Sequence, residues 1–408
     1  GLSPIIPAMN APTLSDLRSS SSPAPAAHDP AAPAGALCIG LMSGTSLDGV
    51  DGVLVRIAPH RADAPLQLAT LAFAGIDMPQ ALRAELLALN TPGEHELHRA
   101  ALAANALMRL YADCIHTLCA QAGVPPAAVA VAGAHGQTVR HRPGLYDGTG
   151  YTLQLVNGAL LAELAGMPVA CDFRSRDVAA GGQGAPLVPV FHQALWGRQG
   201  QALAVLNLGG IANLTLLQPG QPPLGFDCGP ANALMDHWCL QHTGQAYDAD
   251  GAWAAQGRVH APLLARLLAE PFIDQPPPKS TGRDLYNPAW LLQQLEPFGA
   301  LAPVDVQATL TAYTAQAAVL HLQRHAPAVR QLVVCGGGVR NGQLMRHLAA
   351  ALPWVQVQSS AALGVDPQAV EATAFAWLAH CTLAGQPLDM RAITGARGPR
   401  VLGCLYPA

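Results

Sequence analysis

Two stretches of the chain repeat one design, and that repetition narrows the fold more than any other feature of the sequence. Leu37-Cys38-Ile39-Gly40-Leu41-Met42 is an apolar run that ends in the polar turn Ser43-Gly44-Thr45-Ser46-Leu47-Asp48-Gly49, after which residues 50–55 are extended again. Residues 203–206 lead in the same way into Asn207-Leu208-Gly209-Gly210-Ile211-Ala212-Asn213 and on through Leu214 to Leu216. Each is a strand, a glycine-bearing turn and a second strand, and two such units predict two related halves. A third glycine element, Leu332-Val333-Val334-Cys335 running into Gly336-Gly337-Gly338-Val339-Arg340-Asn341, precedes a helix expected over 342–350. Strand, glycine loop and helix in that order form a nucleotide pocket. Repeated strands separated by helices give an α/β architecture with a cleft between two lobes.

Between these landmarks the apolar spacing predicts helices within 79–121 and at 160–164. Short strands at 129–132 and 167–170 feed the polar stretches Gly133-Ala134-His135-Gly136-Gln137-Thr138 and Cys171-Asp172-Phe173-Arg174-Ser175-Arg176-Asp177. A proline-rich loop, 271–288, surrounds Lys279, the only lysine. Residues 1–35, rich in Ala, Pro and Ser, read as a flexible low-complexity tail rather than a signal peptide. One domain is expected over 36–200 and a second over 201–408, with the final helix able to return to the first.

Composition removes whole classes of function. Charged residues are only 12% of the chain and the formal net charge is -4, which gives no bulk attraction to a nucleic-acid backbone or an anionic membrane surface. Glycine, proline or glutamate breaks every apolar run before it reaches about 18 residues, so no membrane span is expected. The nine cysteines are scattered and never form a CxxC pair, which argues against a disulfide framework or thiolate zinc site and for a reducing, cytoplasmic setting. GxxxxGK[ST], HExxH and GxSxG are all absent.

What remains is a set of acids and one histidine near the turns. Asp48 and Asp51 are placed to hold Mg²⁺ beneath nucleotide phosphates, although Asp51 serves equally as a turn cap. Asp227, in Gly225-Phe226-Asp227-Cys228-Gly229-Pro230, is either an acidic site residue or an Asx-turn. Asp177, followed by the small residues Val178 to Pro186, is either a proton acceptor beside close-approaching substrate or a surface ion-pair member. His135 is a base or a hydrogen-bonding partner of the next loop.

Taken together, Gly40 to Asp51, His135 to His141, Asp172 to Pro189, Asn207 to Asn213, Gly225 to Asn232, Lys279 to Asp284 and Gly336 to Asn341 closely resemble the anhydro-N-acetylmuramic acid kinases, from about Leu37 to Ala396. The resemblance implies two actin-like (ribonuclease H-like) domains closing over ATP and Mg²⁺. It implies phosphate contacts from Gly44, Thr45, Ser46, Leu47, Asp48 and Gly49 and from Asn207, Gly209 and Gly210, with Gly336, Gly337, Gly338 and Asn341 on the adenosine side. The implied reaction opens the 1,6-anhydro ring of 1,6-anhydro-N-acetylmuramic acid with water and phosphorylates O6, giving N-acetylmuramic acid 6-phosphate in cell-wall recycling. Asp177 matches the family's catalytic aspartate; His135, Arg174 and Glu371 are expected on the substrate side, and Asp48 and Asp227 near metal and phosphates. A homodimer is implied as well. Ala231, Asp284 and Val156-Asn157-Gly158 depart from the usual pattern. The rivals are an ordinary sugar kinase of the same superfamily and a two-lobed binding protein without turnover.

Overall fold

The computed structural model describes residues 35–59, 61, 64–197 and 200–408, so the tail expected over 1–35 lies, apart from Gly35, outside the described residues. The first lobe holds strands β1 (Ala36–Met42), β2 (Gly49–Ile57), β3 (Leu68–Asp77), β4 (Val131–Ala134), β5 (Gln137–Pro143), β6 (Gly150–Leu155) and β7 (Val169–Cys171). The second holds β8 (Leu203–Leu208), β9 (Ile211–Leu217), β10 (Leu224–Pro230), β11 (Gln331–Cys335) and β12 (Gln356–Ser359), and the chain ends in β13 (Cys404–Tyr406).

The two halves share one topology. The first sheet runs β13-β7-β4-β1-β2-β3 and the second β10-β9-β8-β11-β12. In each, three sequential antiparallel strands are extended on the side of the first strand by two parallel ones. This is the duplicated α/β order expected of ribonuclease H-like domains. The parallel strands β4 and β7, and β8 between its neighbours, are buried along their whole length, as strands covered on both faces must be.

A core cluster unites both sheets. Cys38, Val53 and Val131 of the first and Val205 and Val333 of the second pack with the helices Val188–Trp196 and Val370–Leu383. The second domain is expected to run to residue 408 with the final helix able to return to the first; here the helix Val370–Leu383 lies against β1, β2 and β4 of the first sheet, and β13 pairs with β7. Direct register partners Gly40 and Gly133 form the seat for that helix. A Cβ on Gly40 would overlap the Ala372 carbonyl and lie 2.6 Å from Ala376 N, and one on Gly133 would lie 2.9 Å from Ala379 Cβ.

The departures from the family pattern have local roles. Asn157 caps the helix Gly158–Ala165 by accepting Leu160 N–H at 3.0 Å. Asp284 pairs with Arg142, and Ala231 is fully buried before the helix Asn232–Thr243. Among the described residues no helix is long and apolar enough to cross a membrane.

Candidate active site

The carboxyl ends of the central strands and the two glycine turns surround a cavity of about 760 Å³. Gly44, Thr45, Ser46, Asp48, Gly49, Asn207, Gly209, Gly210, Gly336, Gly337, His135, Arg174, Asp227 and Glu371 all line it. Leu47, Asp177, Gly338 and Asn341 do not. Leu47 is buried in the first lobe's core, Gly338 packs against Leu208, and Asn341 uses its side chain to cap the helix Gly342–Ala351 by accepting Leu344 N–H.

The phosphate end is built from backbone. Ser43 fixes the first turn, meeting Tyr111 Oη at 2.7 Å and donating to Gly136 O at 2.9 Å. A Cβ on Gly210 would overlap the Thr45 hydroxyl, so the two turns face each other at contact distance. A Cβ on Gly44 meets nothing within 4 Å, which leaves its backbone open to an anion. Arg283 donates through Nε to Thr45 O at 2.8 Å, joining a second-lobe loop to the first turn.

Carboxylates gather beside this end. Burial and then repulsion from Asp48 push Asp51 up to about 6 and Asp236 up to about 7, with Arg340 opposing the first and Arg283 and Arg83 the second. Negative charge gathered on hard oxygen donors fits Mg²⁺. The described residues contain no ready-made cage of three metal-capable side chains, so an ion here would need phosphate and water to complete its shell. Asp236 escaped sequence reading, although its spacing from Asn232 puts both on one helix face, and both line the cavity.

At the other end Asn207, Asn213 and Asp227 occupy one level of three adjacent antiparallel strands. Asn207 donates to Glu371 Oε1 at 3.0 Å, and Thr281 N–H donates to Asp227 Oδ2 at 2.9 Å. Burial pushes Asp227 up to about 7 against the pull of the Thr281 hydrogen bond, Arg174 and Lys279. Burial also raises Glu371, opposed by Asn207 and Arg174. Arg174 spends Nε and Nη2 on His135 Nε2, at 3.2 and 2.9 Å, and Nη1 on Gly184 O at 2.9 Å, leaving two N–H protons for the cavity. His135 is thus an acceptor at Nε2 and a donor from Nδ1 to Gly136 O, and burial with Arg174 lowers it to about 3. Its Nε2 lone pair is taken up in orienting the guanidinium. Gln137 Oε1 and Asn213 Oδ1, on two cavity-lining residues, have no hydrogen-bond partner among the described residues.

The geometry bears on two sequence expectations. Asp177 is 1% exposed and off the cavity; its carboxylate accepts Gly184 N–H and Thr394 Oγ1–H, each at 2.8 Å, and closes the loop of small residues. A carboxylate so enclosed holds the loop and does not line the cavity. Arg174 and Lys279 act on Asp227, whereas the Asp48 charge acts on Asp51 and Asp236. Asp177→Asn is expected to keep activity within about tenfold, because the Thr394 hydroxyl already reaches Met390 O at 3.2 Å and can accept the new amide. Asp177→Ala leaves Gly184 N–H and Thr394 without this partner and costs about 2–4 kcal/mol. Thermal denaturation beside steady-state kinetics separates the two.

Comparison with known proteins places this geometry. The sequence profile of the anhydro-N-acetylmuramic acid kinase family matches residues 36–408. The anhydro-N-acetylmuramic acid kinase of Variovorax paradoxus (strain S110) is 58% identical over 380 residues, covering 92% of this chain and 100% of that protein. That of Bordetella petrii is 61% identical over 377 residues, covering 92% and 97%. Among solved structures, the activator of the 2-hydroxyisocaproyl-CoA dehydratase from Clostridium difficile with bound ADPNP aligns with 85% of this chain and 96% of its own, at 13% identity and a TM-score of 0.43.

Proposed function

The chain belongs to the anhydro-N-acetylmuramic acid kinase family, and from that premise we propose that its cleft opens the 1,6-anhydro ring of 1,6-anhydro-N-acetylmuramic acid with water while phosphorylating O6 from ATP. The observation that carries this is one cavity holding both an anion-binding wall of glycine turns and a desolvated carboxylate, Asp227, beside Arg174 and Glu371. An ordinary hexose kinase needs a base for a hydroxyl that the sugar already carries; the anhydro sugar has none at O6 and needs water delivered to C1.

Asp227 takes a proton from that water as the water oxygen bonds to C1. The C1–O6 bond breaks with its electron pair to O6, O6 bonds to the γ-phosphorus, and the bond to ADP breaks with its pair to the ADP oxygen. The proton then leaves Asp227 for solvent. Glu371, steadied by Asn207, and Arg174, steadied by His135, frame the sugar end, and Gln137 Oε1 and Asn213 Oδ1 offer acceptors to its hydroxyl and amide donors. The turns at 43–49 and 207–210 take the ATP phosphates, and Gly336 and Gly337 the adenosine side. Mg²⁺ would be held beside Asp48, Asp51 and Asp236 by no more than one or two of these carboxylates, with phosphate and water completing it, and would supply charge neutralisation at the phosphates. Closure by Arg283 and by the Arg142–Asp284 pair excludes bulk water.

A base that must be ionised gives kcat/KM an acid limb. With Asp227 raised to about 7, the rate is full above that pH and falls in proportion to the ionised fraction below it. A pH profile measures the midpoint; one near the ordinary carboxylate value counts against Asp227. ADP release measured on a panel of anhydro and ordinary amino sugars tests the function, with turnover expected only for the anhydro sugar. Turnover on N-acetylmuramic acid or glucose instead points to a general sugar kinase. A cytoplasmic homodimer belongs to the same reading, resting on the family likeness, and sedimentation at twice the chain mass checks the dimer.

A further inference from the structure

Lys279 is only 3% exposed. Its ammonium donates to Phe272 O at 2.8 Å, Ile273 O at 3.1 Å and His321 Nε2 at 2.8 Å, so all three protons have acceptors. His321 gives its other ring nitrogen to Ala317 O at 2.6 Å, which leaves Nε2 as the lone pair facing the lysine. The Phe272 ring lies 4.6 Å from the ammonium. Methionine would fill this space without the cost of burying a charge. A reason for the charge lies two residues along the backbone. Lys279 O accepts Asp227 N–H at 3.2 Å, and Thr281 N–H holds the Asp227 carboxylate. Between them the Ser280 hydroxyl donates to Gln183 Oε1 at 3.1 Å and meets His141 Nε2 at 2.9 Å. The segment is therefore tied to the first lobe through Ser280 and Arg283 and to the second through the lysine side chain.

We propose that Lys279 is the positioning residue of the proton acceptor: its ammonium, locked onto His321 and the carbonyls of Phe272 and Ile273, fixes the segment whose Thr281 N–H holds Asp227, and places positive charge behind that carboxylate. This rests on the reading of Asp227 as the base. The groups facing Lys279 are His321, His325 and Arg324 on the helix Pro303–His325, Asp274 on the short helix Pro271–Asp274, and Asp227 and Cys228 on β10. Burial lowers Lys279 to about 8, partly offset by Cys228, Asp274 and Asp227, and Lys279 in turn favours the ionised Asp227.

Lys279→Met is expected to lower kcat about 10- to 100-fold with KM for ATP little changed, and to move the acid limb of kcat/KM to higher pH. Wild-type kcat with an unmoved limb overturns the proposal. A second measurement does not depend on that variant folding. Since the chain has one lysine, protein labelled with carbon isotope at lysine Cε gives a single side-chain resonance whose titration reads Lys279 directly. Its midpoint is expected to fall in Asp227→Asn, where the stabilising carboxylate is gone; an unchanged midpoint overturns the coupling. Full activity of Asp227→Asn would instead overturn the base reading, whatever the lysine does.

Discussion

Asp227→Asn is expected to fold, to bind ATP as the wild type does, and to lose about three orders of magnitude in kcat/KM, within the span usual for a general base. The amide oxygen can still accept Thr281 N–H, so the segment beside it keeps its hydrogen bond. What the cavity loses is a lone pair that can take a proton from water, since the amide nitrogen presents donors there instead. Nucleotide titration calorimetry checks that binding survives, and steady-state kinetics measures the loss. A loss under tenfold would remove Asp227 from the chemistry. The contrast with Asp177→Asn, expected to remain active, makes the assignment specific to one of the two carboxylates.

Gly40→Ala is expected to be the most damaging single methyl group near the site. The added carbon meets the backbone of Ala372 and Ala376 rather than a side chain that can turn aside. The helix Val370–Leu383 must lift off β1, at about 1–3 kcal/mol or more for overpacking. The same helix carries Glu371 to the cavity and Phe375 against the edge of His135, with ring centroids 4.8 Å apart. A displacement on the order of 1 Å at Glu371 then costs about 100-fold in kcat beyond the stability loss. Denaturant unfolding with kinetics on the folded fraction checks both parts. A variant with wild-type stability and kcat would mean that the helix does not sit as described.

The repeated strand-turn-strand units made the duplicated architecture legible, because both turns carry their signal within a dozen residues. The same locality hides whatever depends on residues far along the chain. Asp177 and its small-residue tail read as an open approach for substrate, but the residue that closes over it, Thr394, is 217 positions away. Asp227 was visible as an acid at a strand end, yet its grouping with Arg174 rather than Asp48 depends on which face of β10 meets which lobe. Leu47 falls within the first turn and was read with it; its side chain turns inward, with φ at 57°, to fill the core below. Asn341 and Gly338 share the loop of Gly336 and Gly337, but the Asn341 side chain caps a helix and Gly338 abuts Leu208. The proline-rich composition of 271–288 read as a bare loop, because the partner that gives Lys279 its place, His321, is carried on a separate helix. The edge strand β3 and the hairpin of β5 and β6 also went unread. Only every second residue of β3 is buried in its middle stretch, and the apolar run there is interrupted by alanine and glycine.

The most direct test of the account is the mass of the product formed from 1,6-anhydro-N-acetylmuramic acid and ATP in heavy-oxygen water, sampled over the first turnovers. The sugar is expected to gain one phosphate and one water together, with the heavy oxygen at C1, and Asp227→Asn is expected to form neither that product nor a ring-opened sugar. A product heavier by phosphate alone, its anhydro ring intact, would contradict the account by leaving Asp227 no water to activate.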